Sequence, residues 1–133
     1  MKSYELRVNK DTYDILAAEE DGHELIWHNG DGRLKKGDIV YIITGRGHLH
    51  GKATCGIQTV IRDESELPGG RRYWNFESDT LQKQIEQRNF IKLINYQSVI
   101  PEGTELPKVE GKMNATCEIP EKKYANVRFV PTP

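Results

Sequence analysis

The sequence predicts a single α+β domain, a small curved β-barrel of about five to seven strands flanked by two or three short helices. Three observations carry this. The run Ile39-Val40-Tyr41-Ile42-Ile43 follows a Lys-Gly-Asp turn and is almost wholly apolar, as expected of a strand buried on both faces. The return segment, Leu49 to Ile61, holds the small residues Gly51, Ala53 and Gly56, which permit close packing or a bulge and so let a sheet bend. Around this two-strand unit, short capped amphipathic segments alternate with strand-like ones. A chain of 133 residues suits one hydrophobic core better than two marginal ones.

The elements follow in order. Tyr4-Glu5-Leu6-Arg7-Val8 alternates charged and apolar residues at period two, predicting a strand with one buried face. Asn9 and Asp11 offer N-cap oxygens to a helix over 12–20, where Tyr13, Leu16 and Ala17 recur at helical spacing and Gly22 provides a stop. A brief strand over 23–26 ends at Trp27, and His28-Asn29-Gly30-Asp31-Gly32 is loop-forming. Gly45-Arg46-Gly47-His48 joins the two central strands. Asp63 to Arg72 is a polar excursion, too short for an interdomain linker but long enough to overhang a site, and it delivers Tyr73-Trp74-Asn75-Phe76. Ser78 or Asp79 caps a second helix with Leu81 and Ile85 as its buried stripe, and Gln82 completes a capping box if Asp79 is the cap. A strand over 90–96 follows, with Pro101 closing this region. The segment 101–133 is an extension whose two short strands, over 115–119 and 126–130, suit sheet edges.

Composition narrows function. A net charge of −1 and a pI near 6.4 exclude a protein that grips long nucleic acid mainly through phosphates, although Arg33, Lys35, Lys36, Arg46 and Lys52 form a locally basic stretch. The apolar run is too short to cross a bilayer, and the first residues lack the apolar core of a secretion signal, so no membrane association and a cytoplasmic location are expected. Cys55 and Cys117 have no partner pair at zinc-ligand spacing and are read as reduced, half-buried fillers. Asn114-Ala115-Thr116 fits a glycosylation acceptor, which means little without a secretory route.

The order of elements, with Tyr4-Glu5-Leu6, Trp27 at the end of a short segment, Leu34-Lys35-Lys36-Gly37-Asp38-Ile39-Val40-Tyr41 and the Gly-rich return strand, resembles the EVE branch of the PUA-like superfamily. Gly47-His48-Leu49-His50-Gly51-Lys52-Ala53 resembles the Gly-His…Gly-x-Ala segment of YTH domains. The resemblance covers roughly residues 4–100 and departs from the EVE pattern at Glu5, where an aromatic usually stands, and in the C-terminal extension. It implies a curved barrel whose aromatic pocket grips a modified base in DNA or RNA, with Trp27 as one cage wall and Trp74 as a second. Base reading needs flat apolar faces and a few edge contacts. Trp27, Trp74 and Tyr73 are candidates for the faces, Asn29, Thr44 and Ser3 for the edge, and Arg46 and His48 for the pocket's rim, with Asn75 a further polar candidate.

Competing chemistries are thinner. His48 and His50 share one side of a strand, but two ligands are too few for a metal site, and no cofactor motif is present. Gly45-Arg46-Gly47 lacks the helix a phosphate-binding loop requires. Lys2-Ser3-Tyr4-Glu5-Leu6-Arg7 resembles the Lys-x-x-Glu-x-Arg signature of the ASCH branch, some of whose members hydrolyse modified nucleosides. That resemblance implies an enzyme with Glu5 as acid or base and Lys2 and Arg7 as orienting groups. The plainer reading of the same residues is a solvated strand face. A non-catalytic base-reading module is thus the leading expectation, an ASCH-like enzyme the second and a protein-interaction module the third.

Overall fold

The computed structural model describes residues 1–101, 107–109 and 116–131. Its strands are β1 (Ser3–Val8), β2 (Leu25–His28), β3 (Ile39–Thr44), β4 (His48–Val60), β5 (Asn89–Ile100), β6 (Thr116–Ile119) and β7 (Arg128–Pro131). Two helices, α1 (Ile15–Glu20) and α2 (Asp79–Gln87), complete the fold. The strands form one mixed sheet in the order β2-β5-β4-β3-β1-β6, with β7 also paired to β5, curled into a half-barrel with the two helices. This is the predicted class. Among the described strands only β1 and β3 run parallel (Ser3↔Ile39 to Val8↔Thr44), joined by a crossover that carries α1 and β2. Among the described residues no helix is long and apolar enough to cross a membrane.

The expected strand pair is central. β3 lies between β1 and β4, and the Lys35–Asp38 turn ahead of it is closed by Asp38, whose carboxylate accepts from the Lys35 and Lys2 backbone N–H groups at 2.9 Å each. Register shifts fall between Ile42 and Ile43 on β3 and at two places along β4 and β5, and these bulges supply the curl. Gly51 is needed for close approach, since a Cβ there would overlap the Gln97 carbonyl and the Tyr96 hydroxyl of β5. Gly56 needs no such allowance, because a Cβ there meets only ordinary contacts at 3.5 Å.

Four expectations change. First, β1 is buried along its whole length, Glu5 and Arg7 included, because a second core of Tyr41, Ile43, Leu49, Val99, Val109, Ile119 and Tyr124 covers the sheet face opposite the main one. The strand's alternation is real, but both of its faces are covered. Secondly, α1 begins only at Ile15, capped by the Asp14 carboxylate at Ala17 N (3.2 Å). Asn9 instead bonds its own turn through Asp11 N (2.9 Å), and Tyr13 is drawn into a bridge with Trp74. Thirdly, Ser78 is the N-cap of α2, so the Gln82 amide turns to Phe76 O (2.8 Å) and Glu64 rather than closing a capping box. Fourthly, the cysteines divide into a buried Cys55 and an exposed Cys117, both free thiols, because β6 is an edge strand and β4 is not. Burial pushes the Cys55 thiol up to about 12, which makes it unreactive at neutral pH.

The extension adds β6 to the edge at β1 and β7 to β5, as predicted for its short strands. Asn114 and Ala115 lie outside the described residues. Gly47 ties this extension to the β3–β4 turn. Its φ is +97°, its carbonyl accepts from Val109 N at 2.5 Å, and a Cβ would collide with the Val109 carbonyl. Gly47→Ala is therefore expected to cost about 2 kcal/mol or more, through strain and lost contact together. Urea unfolding measures it, and faster tryptic cleavage at Lys108 should accompany it. Unchanged stability with unchanged cleavage would refute the tie.

Candidate functional site

The richest constellation lies where β1 ends, β2 ends and the excursion returns. A short backbone clip builds it: Asp14 N donates to Tyr73 O (2.7 Å), Asn75 N donates to Thr12 O (3.1 Å), and Tyr13 bridges Trp74. The Trp74 indole N–H donates to Pro68 O at 2.9 Å, so the Pro-Gly-Gly turn of the excursion fixes the ring. Tyr13 stacks on one face of Trp74 at 3.6 Å and 5°, and Phe90 presents an edge at 6.4 Å and 80°. Trp27 comes from β2, with its indole N–H donating to Thr116 Oγ1 at 3.2 Å. The two indoles are 4% and 3% exposed and line one cavity together with Val8, Asn9, Tyr13 and His28. Its free volume is about 10 Å³, room for about one water.

Beside it opens a polar cleft of about 230 Å³, lined by His28, Asn29, Asp31, Arg33, Gln87 and Thr116. His28 lines both spaces. Burial lowers its pKa, against an opposing pull from Asp31, and its Nε2 is buried with no hydrogen-bond partner among the described residues. A neutral imidazole with one uncommitted nitrogen is the kind of group that reads a base edge. Arg33 crosses the cleft, donating to Thr116 O at 2.7 Å and pairing with Asp31 at 3.2 Å.

The other predicted residues divide. Asn29 lines the cleft but is committed to the loop after β2, donating to Leu34 O and Gln58 Oε1 and accepting from Leu34 N, all within 3.0 Å. Tyr73 is buried on the far side of the clip, with its hydroxyl on Asp21 at 2.5 Å and its ring against His23. Ser3 is buried between Ile39 and Ile119, and Thr44 is the register partner of Val8; neither lines the cavity of the two indoles. Arg46 is exposed on the β3–β4 turn, and His48 begins β4 in a bridge to Lys108. Asn75 donates to Asp11 O and so belongs to the clip. Sequence reasoning missed His28 and the second role of Tyr13. The adjacency of His28 to Trp27 was an available signal, whereas Tyr13 read simply as a helical stripe residue.

The Lys-x-x-Glu-x-Arg residues are not assembled as one group. Glu5 is 3% exposed, with Arg7 at 3.4 Å on one oxygen and Lys123 (2.8 Å) and the Tyr124 hydroxyl on the other. Lys2 pairs instead with Glu118 at the surface (3.5 Å). Residues three apart on a strand point to opposite faces, which is why Lys2 and Glu5 part. Both oxygens of the buried Glu5 carboxylate are thus bonded within the protein. Among the described residues no three His, Cys, Asp or Glu side chains group as metal ligands.

No family model, no curated protein and no solved structure matches the chain. The candidate site therefore rests on its geometry.

Proposed function

We propose that this protein is a non-catalytic module that reads a modified base in nucleic acid, receiving it between Trp27 and Trp74. The observation that carries the reading is that two indoles 47 positions apart wall one cavity, with His28, whose buried Nε2 has no hydrogen-bond partner among the described residues, lining both it and an open polar cleft. The resemblance to EVE and YTH domains supports the same reading. Tyr13 stacks on one Trp74 face, so a base enters by displacing it. Base stacking, worth about 1–3 kcal/mol, offsets the about 0.5–1.5 kcal/mol of the aromatic pair, and the burial that the Tyr13 ring gives up is a further cost that the base's own burial has to cover. One enclosed methyl adds about 0.8 kcal/mol, roughly fourfold discrimination, and an edge contact from His28 raises it. With a net charge of −1, affinity derives from the base more than from phosphates, so its salt dependence is shallow.

The test is fluorescence of a Trp74→Phe protein, in which Trp27 reports alone, titrated with single- and double-stranded oligonucleotides carrying N-methyladenine, methylcytosine or no modification. Saturable quenching by one modified oligonucleotide, at least fourfold tighter than by its unmodified twin, is expected. The wild-type protein should show the same preference. A folded protein that none of them quenches, in either form, would overturn the reading.

A further inference from the structure

A second concavity, away from the indoles, opens on the outer edge of β5. That strand is paired to β4 along one edge, while the other is shared: β2 covers it up to Leu93 (with Leu25) and β7 resumes at Gln97 (with Pro131). Ile94, Asn95 and Tyr96 fall in the gap, and Asn95 has a positive φ of 54° that bows the strand there. The result is a notch of about 570 Å³, within the roughly 300–1,000 Å³ typical of small-molecule sites.

Its lining is apolar on one side and acidic on the other. Leu93, the 45% exposed Ile94 and the Tyr96 ring form an apolar shelf. Across it, Glu24 is matched by Lys92 at 3.1 Å, whereas Glu19 forms no ion pair among the described residues. Among the described residues the buried Glu19 Oε1 has no hydrogen-bond donor, an arrangement that costs free energy until a donor arrives. Glu19 and Tyr96 both line the notch, and burial first, then the Glu19 charge, push the Tyr96 hydroxyl up, so it stays protonated. An unmatched carboxylate, a phenol oxygen able to accept and an apolar shelf suit a guanidinium or alkylammonium group with a short aliphatic or flat body.

We infer that the notch between β2 and β7 is a binding site for a compact organic cation, with Glu19 as its counter-charge and Ile94 and Tyr96 as its shelf. This site is independent of the base-reading proposal. Agmatine and spermidine serve as free-amine probes and a blocked Gly-Arg-Gly tripeptide as a side-chain probe, each titrated into the isotope-labelled full chain and followed by amide NMR. Saturable shifts clustered at residues 22–25 and 93–97 are expected with at least one probe. Tighter binding of the tripeptide points to a partner protein's side chain as the source, and tighter binding of the amines to a free metabolite. Glu19→Gln should weaken binding at least tenfold, while Glu118→Gln, which removes an exposed carboxylate on β6, should leave it unchanged. The amide spectra also report whether each variant is folded. No saturable shift at millimolar probe, or equal losses in the two variants, would overturn the inference.

Discussion

Glu5→Gln should lower the unfolding free energy by about 3–5 kcal/mol, because it removes the buried negative charge that Arg7, Lys123 and the Tyr124 hydroxyl share. For a domain of this size that is a fall in Tm on the order of 10–20 °C. Arg7 is 4% exposed, and its Nη1 also donates to Val109 O at 3.3 Å, so the guanidinium cannot turn to solvent without releasing the extension. Lys123→Ala provides the contrast. Its side chain is 40% exposed and pairs with the same carboxylate, and losing it should cost about 1 kcal/mol or less. A Glu5→Gln protein with wild-type Tm by calorimetry would show that the cluster contributes nothing.

The same cluster fixes a pH dependence. Burial alone would raise the Glu5 carboxyl, but the Lys123 and Tyr124 hydrogen bonds, with the charges of Lys123 and Arg7, outweigh it and hold the carboxyl below its ordinary 4.5. A folded-state pKa below the unfolded one means the native protein resists the proton. The stabilisation is therefore complete above about pH 4.5 and is lost as pH falls through the folded value. The wild-type Tm should drop through that acidic window, and the curve for Glu5→Gln should be flatter there.

Tyr13→Ala is expected to separate the two roles of the indole pair. Truncating this fully buried ring costs about 3–5 kcal/mol, as large-to-small core changes do. If the ring also guards the Trp74 face, the variant binds the modified oligonucleotide more tightly than wild type, because nothing has to be displaced. Ligand should then restore part of the lost Tm, by RT ln(1 + [L]/Kd). If Tyr13 is core and nothing more, the variant is only less stable, and no oligonucleotide raises its Tm. Trp27→Ala in the same background should remove the rescue. Persistence of the rescue would place the base elsewhere.

Local chemistry made much of the architecture legible. The Lys35–Asp38 turn, the apolar β3, the small residues of β4, the Ser78 cap and the short edge strands are all decided by interactions within a few residues, so pattern alone finds them. The same reasoning failed where a distant segment intervened. Glu5 and Arg7 alternate like solvent-facing residues and would be, were Val109, Ile119, Lys123 and Tyr124 not packed over that face. Tyr13 sits at helical spacing, yet its backbone bridges Trp74, 61 positions away, and α1 starts later in consequence.

The candidate site divides along the same line. Trp27 and Trp74 were visible as the two indoles of the chain, each beside polar loops, and sequence could rank them as cage or core but not choose. Tertiary structure decided that they wall one cavity, that Tyr13 covers one face, that among the described residues the His28 Nε2, unlike the Asn29 amide, has no hydrogen-bond partner, and that Ser3, Thr44, Arg46 and His48 stand apart from that cavity. The physical reason is the range of the interactions. Turns, caps and strand faces are set by neighbours in sequence, whereas a pocket is space left between segments whose meeting depends on the whole sheet closing. Sequence by itself thus determined a curled sheet with two helices and two candidate aromatic walls, and only the folded chain determined what lies between them.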